Sequence, residues 1–218
     1  MASQHRSPGL GVPAYFGPWD RANWSALLAA RPTVVIINPD SGPGRRRHGG
    51  YRPLVRALQA GGTRVLGYVS TRWLSVAPEV SCGAAQRHVD WYGVDGVLWD
   101  EIPVEPTSLR RIRPLATWAS SQTLAQAFNP GRVVPTSWHR VAPEAWWITF
   151  EGTGRTYLER FPIEKRSNDW HLVHSVTNRQ LRSVDALVRH YGPALAFVTA
   201  DCLPNPWDTF PGQAAPPR

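Results

Sequence analysis

The segment Gly93-Val94-Asp95-Gly96-Val97-Leu98-Trp99-Asp100-Glu101-Ile102-Pro103 is a short apolar run that ends in two adjacent carboxylates. Residues 97–99 favour a strand that is buried on both faces, whereas Pro103 cannot donate a backbone hydrogen bond to a neighbouring strand. We therefore predict a strand whose C-terminal end presents Asp100 and Glu101. For an isolated Asp-Glu pair a solvated loop is the more common structure, because most acidic side chains are exposed.

A second segment of the same design shifts the balance towards a catalytic interpretation. Ala145-Trp146-Trp147-Ile148-Thr149-Phe150-Glu151-Gly152 is again an apolar run that closes on a carboxylate and is followed by a glycine. Two strands that deliver carboxylates at matching ends provide what acid/base or nucleophilic chemistry on a glycosidic bond requires.

Eight apolar runs alternate along the chain with segments of helical character. This alternation predicts an α/β fold with a parallel sheet covered on its outer face, and the count of eight predicts a single (β/α)8 TIM-like barrel with some short or irregular helices. The predicted strands begin near residues 12, 33, 64, 97, 124, 145, 170 and 194. The predicted helices span residues 21–30, 51–60, 79–92, 107–121, 137–142, 155–161 and 179–190, with Asp20 and Asn178 as caps.

We expect one domain, with a flexible tail at residues 1–11, a catalytic barrel at 12–203 and a loosely packed proline-rich segment at 204–218. No apolar run approaches the roughly 18 residues of a membrane span, and the N-terminal residues lack the hydrophobic region of a signal peptide. A cytoplasmic location is therefore the default expectation, and a secreted one follows if a leader has been removed. We expect a monomer.

Polar side chains stand at the predicted C-terminal ends of the strands, which is where barrels of this type place their active sites. They are Tyr15, Asn38, Tyr68, Asp100, Glu101, Asn129, Glu151, His174 and Asp201. We assign the three acids among strands four and six as catalytic candidates and the other six residues as substrate-binding candidates. Because neighbouring strand residues face opposite sides, Asp100 and Glu101 both reach the interior only if the backbone turns at Glu101.

Two other features of the sequence argue against a cofactor or a metal ion, and we expect neither. The segment Ser41-Gly42-Pro43-Gly44 has a proline where a phosphate cradle needs a backbone N–H. His171 and His174 are three apart on a predicted strand and so face opposite sides. His174 is either a site residue or a hydrogen-bonded core histidine. The two cysteines are expected to be free thiols.

The chain is strongly basic, with a formal net charge of +8. Its densest basic cluster, Arg45-Arg46-Arg47-His48, lies in a glycine-rich loop and is a weak nucleic-acid signal, so no specific nucleic-acid partner is expected. Eleven tryptophans are a stronger clue, because sugar-binding clefts use flat aromatic faces. A cationic polymer would be repelled by the positive charge, which favours an acetylated, neutral or anionic glycan.

Five segments together resemble the spherulin-4 family, also called spherulation-specific family 4. They are residues 37–44 (INPDSGPG), 65–71 (VLGYVST), 91–101 (WYGVDGVLWDE), 128–131 (FNPG) and 149–151 (TFE). The resemblance implies a (β/α)8 barrel similar to glycoside hydrolase family 135, whose members cut α-1,4-linked N-acetylgalactosamine stretches of galactosamine-containing polysaccharide. It also implies that Asp100 is the nucleophile, Glu151 the acid/base and Glu101 a supporting acid, with retention of configuration.

The chain departs from the family pattern in two places. The family usually follows the Tyr-Val-x-Thr segment with Tyr-Gly and then an arginine, whereas this chain has Arg72-Trp73-Leu74. Trp99 stands where a phenylalanine is usual. The first difference concerns substrate contacts near the third strand.

From these patterns we expect a glycosidase that acts on a hexosamine-containing polysaccharide or oligosaccharide, by internal cleavage and two-carboxylate catalysis. A non-catalytic carbohydrate-binding barrel is the alternative, and binding without release of reducing ends would identify it. A nucleic-acid-binding protein is a third hypothesis, whose affinity would fall steeply with salt.

Overall fold

The computed structural model describes residues 7–159 and 167–210, and these residues form a closed barrel of eight parallel strands. The strands follow one another round the barrel in chain order, and β1 closes the ring by pairing with β8. The predicted (β/α)8 fold is therefore confirmed. Residues 1–6, 160–166 and 211–218 lie outside the described residues, and they include parts of the predicted tail, of the sixth helix and of the proline-rich segment.

Strands and helices alternate throughout the described residues. The strands β1 to β8 are Gly9–Ala14, Val34–Ile37, Arg64–Ser70, Gly96–Asp100, Ala125–Phe128, Trp146–Thr153, Asp169–His174 and Leu195–Val198. The helices α1 to α7 are Arg21–Ala30, Tyr51–Ala60, Pro78–Tyr92, Ser108–Ser121, Thr136–His139, Gly154–Glu159 and Asn178–Tyr191. Among these helices none is both long enough and apolar enough to cross a bilayer.

The ends of the elements depart from the sequence predictions in small ways. Strand β1 begins at Gly9, inside the segment expected to be a tail. Asp20 caps α1 as predicted, since its side chain accepts from the backbone N–H of Asn23. The predicted cap of α7, Asn178, is instead its first helical residue, because Thr177 and Gln180 form a capping box one position earlier.

The chain after β8 is anchored to the barrel, so the expected loose packing is wrong for Trp207 and Phe210. Both side chains are buried against Phe197 of β8, and the Phe210 ring stacks on it with centroids 6.1 Å apart. The carbonyl of Trp207 also accepts from the backbone N–H of Tyr15 at 2.9 Å. Trp207 and Phe210 therefore fix this segment to the barrel, although its proline content alone predicted loose packing.

Side chains that point into the barrel form layers along its axis. Near the N-terminal ends of the strands the indole of Trp170 fills the interior, and a Cβ at Gly11 would lie only 2.7 Å from that ring. Above it come Leu98, Ile148 and Leu172, which belong to the main buried core cluster. This apolar filling closes the barrel from below and leaves room for polar groups only at the C-terminal rim.

Strands β4 and β5 approach so closely at Gly96 that a side chain there has no space. A Cβ at Gly96 would lie 2.1 Å from the backbone oxygen of Ala125. We expect Gly96→Ala to destabilise the protein by about 1–3 kcal/mol, because the two strands must separate to admit the methyl group. Equilibrium unfolding in urea measures this change.

The matched control is Gly83→Ala in α3, where the added Cβ meets no heavy atom within 4 Å beyond its chain neighbours and its own helix backbone. Alanine is a better helix former than glycine, so this variant should be neutral or up to about 1 kcal/mol more stable. Equal unfolding midpoints for the two variants would contradict the tight strand contact.

Candidate active site

Seven of the nine predicted site residues line one cavity of about 520 Å³ at the C-terminal end of the barrel. They are Tyr15, Asn38, Tyr68, Asp100, Asn129, Glu151 and His174, and they come from the ends of β1 to β7 in order. The other two, Glu101 and Asp201, do not line this cavity. The position is the one that barrel enzymes use for their chemistry.

Asp100 reaches the cavity through the ordinary alternation of β4. Leu98 and Asp100 lie two residues apart and both line the cavity, whereas Trp99 between them is buried in the cluster under the outer helices. The carboxylate of Asp100 accepts from Asn129 Nδ2 at 2.7 Å, and it also accepts hydrogen bonds from the Tyr68 side chain and the backbone N–H of Glu101.

Glu151 reaches the same cavity through an irregularity of β6. Ile148 and Glu151 both line the cavity, although residues three apart on a regular strand face opposite sides. The register of β6 against β7 shifts between Ile148 and Phe150, so Thr149 is an extra residue. Phe150 then faces outwards against Tyr157, with ring centroids 4.7 Å apart. This bulge turns the carboxylate of Glu151 into the barrel.

One amide joins the two carboxylates. Asn129 Nδ2 donates to Asp100 Oδ1 at 2.7 Å and to Glu151 Oε2 at 2.6 Å. Because both distances end on one nitrogen, the two oxygens lie within about 5.3 Å of each other, the sum of 2.7 and 2.6 Å. The amide oxygen of Asn129 accepts from the backbone N–H of Gly131 at 3.0 Å, which fixes the nitrogen towards the acids.

The two carboxyl groups are both buried but unequally stabilised as anions. Burial raises the pKa of Asp100 and of Glu151 above their ordinary values, since desolvation disfavours charge. Three hydrogen bonds oppose this rise at Asp100, whereas only those from Asn129 and Trp207 oppose it at Glu151. The charge of Asp100 raises the pKa of Glu151 further. The more numerous hydrogen bonds to Asp100 thus favour its charged form over that of Glu151.

Glu101 lies beside the site and holds the adjoining loop. Its φ of +60° turns the backbone as the prediction required, yet the carboxylate accepts from Ser70 Oγ and from the backbone N–H of Arg72 instead of entering the cavity. Thr71 Oγ1 donates to the carbonyl oxygens of Asp100 and Glu101 at 2.8 and 3.0 Å. The charge of Glu101 raises the pKa of Asp100, so its effect on the site is electrostatic and positional.

Asp201 does not line the cavity, although it was predicted to bind substrate. The segment that follows it lies at the rim instead. The Asp201 carboxylate accepts from Thr209 Oγ1. Residues 203–207 line the cavity instead, and Trp207 both hydrogen-bonds Glu151 and packs against His174, with ring centroids 5.9 Å apart. Sequence reasoning missed Trp207 because it stands among prolines in a chain with eleven tryptophans.

The remaining predicted residues shape the wall of the cavity. Tyr15 and Tyr68 meet edge to face with ring centroids 5.6 Å apart, and burial raises the pKa of both phenols, so they remain protonated donors. Burial lowers the pKa of His174, whose Nδ1 lies 2.9 Å from Ser175 Oγ. His171 faces away from the cavity, with Nδ1 2.8 Å from the Tyr157 hydroxyl, so the two histidines lie on opposite faces as predicted.

Comparison with known families and structures agrees with this fold. The model of spherulation-specific family 4 matches residues 10–215. No curated protein matches the chain.

Solved structures that match include three barrels of low sequence identity. D-psicose 3-epimerase from Clostridium cellulolyticum H10, solved with D-tagatose, is 11% identical with a TM-score of 0.51, and the match covers 88% of this chain and 84% of that one. An uncharacterised protein from Agrobacterium tumefaciens C58 is 10% identical with a TM-score of 0.50, and the match covers 89% of this chain and 78% of that one. A candidate chitinase A from Streptomyces coelicolor is 15% identical with a TM-score of 0.48, and the match covers 78% of this chain and 76% of that one. For the epimerase and the Agrobacterium protein, with TM-scores of 0.51 and 0.50, this likeness establishes the shared fold alone.

The coupling between the two acids predicts a measurable change in titration. Replacing Asp100 by Asn removes the charge that raises the pKa of Glu151, so the pKa of Glu151 should fall in that variant. Carbon-detected NMR of the glutamate carboxyl groups measures this shift. Asp40→Asn, on the wall of the same cavity, is the control and should leave the pKa of Glu151 in place. Equal shifts in both variants would contradict a specific pairing of Asp100 with Glu151.

Proposed function

The chain belongs to spherulation-specific family 4, and on this premise we propose that it is a glycoside hydrolase that cleaves a hexosamine-containing polysaccharide by two-carboxylate catalysis. The observation that carries the proposal is the pair Asp100 and Glu151, joined by one amide nitrogen and unequally stabilised as anions. Glycosidic cleavage needs one ionised and one protonated carboxyl group on either side of the bond.

In the proposed reaction Asp100 is the nucleophile and Glu151 the acid/base. Asp100 attacks the anomeric carbon while the glycosidic oxygen leaves with the proton of Glu151, which gives a glycosyl ester on Asp100. The Glu151 carboxylate then takes a proton from water, whose oxygen bonds to the anomeric carbon and releases Asp100. Asp100 Oδ1 and Glu151 Oε2 lie no more than about 5.3 Å apart. This upper limit for one oxygen pair favours retention, because the carboxyl groups of retaining enzymes lie about 5–5.5 Å apart and those of inverting enzymes roughly 6.5–9.5 Å.

The other cavity residues have supporting parts in this proposal. Asn129 and Tyr68 hold Asp100 as an anion and fix its direction. Trp207 donates to Glu151 and covers it from the rim. The apolar side chains of Leu98, Ile148 and Leu172 form the base of the cavity and exclude water from below, which strengthens these electrostatic effects.

The finer part of the proposal is the substrate. Following the family resemblance, we assign internal cleavage of α-1,4-linked N-acetylgalactosamine or galactosamine stretches. The net charge of +8 favours acetylated or anionic sugars over a fully deacetylated, cationic polymer.

Removing either acid should abolish turnover. We expect Asp100→Asn and Glu151→Gln each to lower the release of reducing ends from an N-acetylgalactosamine polymer by about a hundredfold or more. Asp90→Asn is the control, because Asp90 is exposed near the end of α3, where its side chain accepts a hydrogen bond from Gln86. Cleavage that survives both substitutions would remove the mechanism, and binding without cleavage by the unaltered protein would favour a non-catalytic carbohydrate-binding barrel.

The anomeric form of the first product tests the assigned roles separately. Proton NMR during early turnover should show the α anomer, because two successive displacements at one carbon restore its configuration. Initial release of the β anomer would contradict Asp100 as the nucleophile.

The hydrogen bond from Trp207 predicts a shift in the pH profile. It lowers the pKa of Glu151, so Trp207→Phe should raise that pKa. The acid must be protonated to act, and the alkaline limb of kcat/KM against pH should therefore move to higher pH. A limb that stays in place or moves down would contradict the role of this indole at Glu151.

A further inference from the structure

Trp19 stands out at the rim because its large apolar side chain is 72% exposed. It lies in the loop between β1 and α1, and its indole rests directly on the backbone of Gly17. A Cβ at Gly17 would lie 2.3 Å from Trp19 Cζ2, so only glycine permits this contact. One part of the indole is thus supported by the chain, and the rest of it faces solvent.

The neighbouring loop fixes Trp19 from the side. The ring of His48, in the loop between β2 and α2, lies 5.6 Å from the indole centroid. The same two loops touch again where Gly50 meets Pro18, since a Cβ at Gly50 would lie 2.8 Å from Pro18 Cβ. The indole is therefore held in place before any ligand arrives, which reduces the entropy lost on binding.

This indole lies in a loop that leads directly out of the cavity wall. Trp19 follows Tyr15 of the cavity wall by four residues, so their Cα atoms are at most about 15 Å apart. The loop that carries His48 also supplies residues 38–41 to the cavity lining. A chain of sugar rings that leaves the cavity on the side of β1 and β2 meets Trp19 within a few units.

We propose that Trp19 is a stacking platform for a pyranose ring of the bound polysaccharide, at a subsite outside the catalytic cavity. This inference rests on the proposed function for its ligand. Indoles offer a large, rigid and flat surface with little entropy to lose, and the C–H face of a pyranose is its chemical complement.

The positive charge beside the platform restricts the class of sugar that can bind there. Arg45, Arg46 and Arg47 precede His48 in the same loop, are exposed, and have no carboxylate partner within the part of the chain that the structure describes. An ammonium group on the stacked ring would be repelled by these guanidinium groups. The platform therefore fits an N-acetylated or anionic hexosamine unit.

The test compares long and short substrates. Trp19→Ala should lower kcat/KM on an N-acetylgalactosamine polymer about tenfold, mainly through KM, and leave kcat/KM on a short aryl glycoside of the same sugar unchanged. Trp19→Phe should retain most of the polymer activity. Val80→Ala controls for loss of an exposed apolar side chain, since Val80 is 60% exposed on α3. Unchanged polymer kinetics in Trp19→Ala, or an equal loss on both substrates, would overturn the platform.

A binding measurement separates this inference from the proposed hydrolysis. If the unaltered protein cleaves no polymer, affinity electrophoresis in gels that contain the N-acetylgalactosamine polymer still tests Trp19. Weaker retardation of Trp19→Ala than of the unaltered protein would support the platform while the hydrolase proposal fails. Equal retardation, or no retardation of either protein, would overturn the platform as well.

Discussion

A single amide nitrogen, Nδ2 of Asn129, holds carboxylates from two other strands, and the arrangement of the rim depends on it. The contact requires β4, β5 and β6 to be neighbours in a closed ring, so that their C-terminal ends meet at one edge. It also requires the N–H of Gly131 to orient the amide and the bulge at Thr149 to turn Glu151 inwards. Together these features bring the two carboxylates to one nitrogen atom.

Burying two carboxyl groups side by side lowers the stability of the folded protein once they are ionised, and the rest of the barrel offsets this loss. Folding raises the pKa of both Asp100 and Glu151, so their stabilising contribution is complete below the unfolded-state pKa and is lost as the pH rises through the folded-state values. Above those folded-state values the ionised pair therefore opposes folding. The apolar base of the cavity and the anchored segment around Trp207 hold the acids in place despite this cost.

The sequence predicted those features that local pattern determines. Apolar runs revealed the eight strands, because buried parallel strands need apolar residues on both faces, and the carboxylates at two strand ends gave Asp100 and Glu151. The bulge at Thr149 could not be predicted, since one extra residue leaves the composition of β6 unchanged and appears only in its register with β7. The places of the Trp207 indole and of the Glu101 carboxylate depend on partners far away in the chain, Glu151 for the first and Ser70 for the second, which no local pattern encodes.

In the proposed mechanism Asp100 becomes covalently bonded to the sugar while Glu151 donates and then accepts the proton, and trapping the glycosyl ester tests this mechanism most directly. The Glu151→Gln variant incubated with an activated N-acetylgalactosaminyl fluoride should gain the mass of one glycosyl unit, because fluoride leaves without an acid and hydrolysis of the ester lacks its base. Peptide mapping by mass spectrometry should place that unit on Asp100. A protein that stays unlabelled, or one labelled at another residue, would contradict the account.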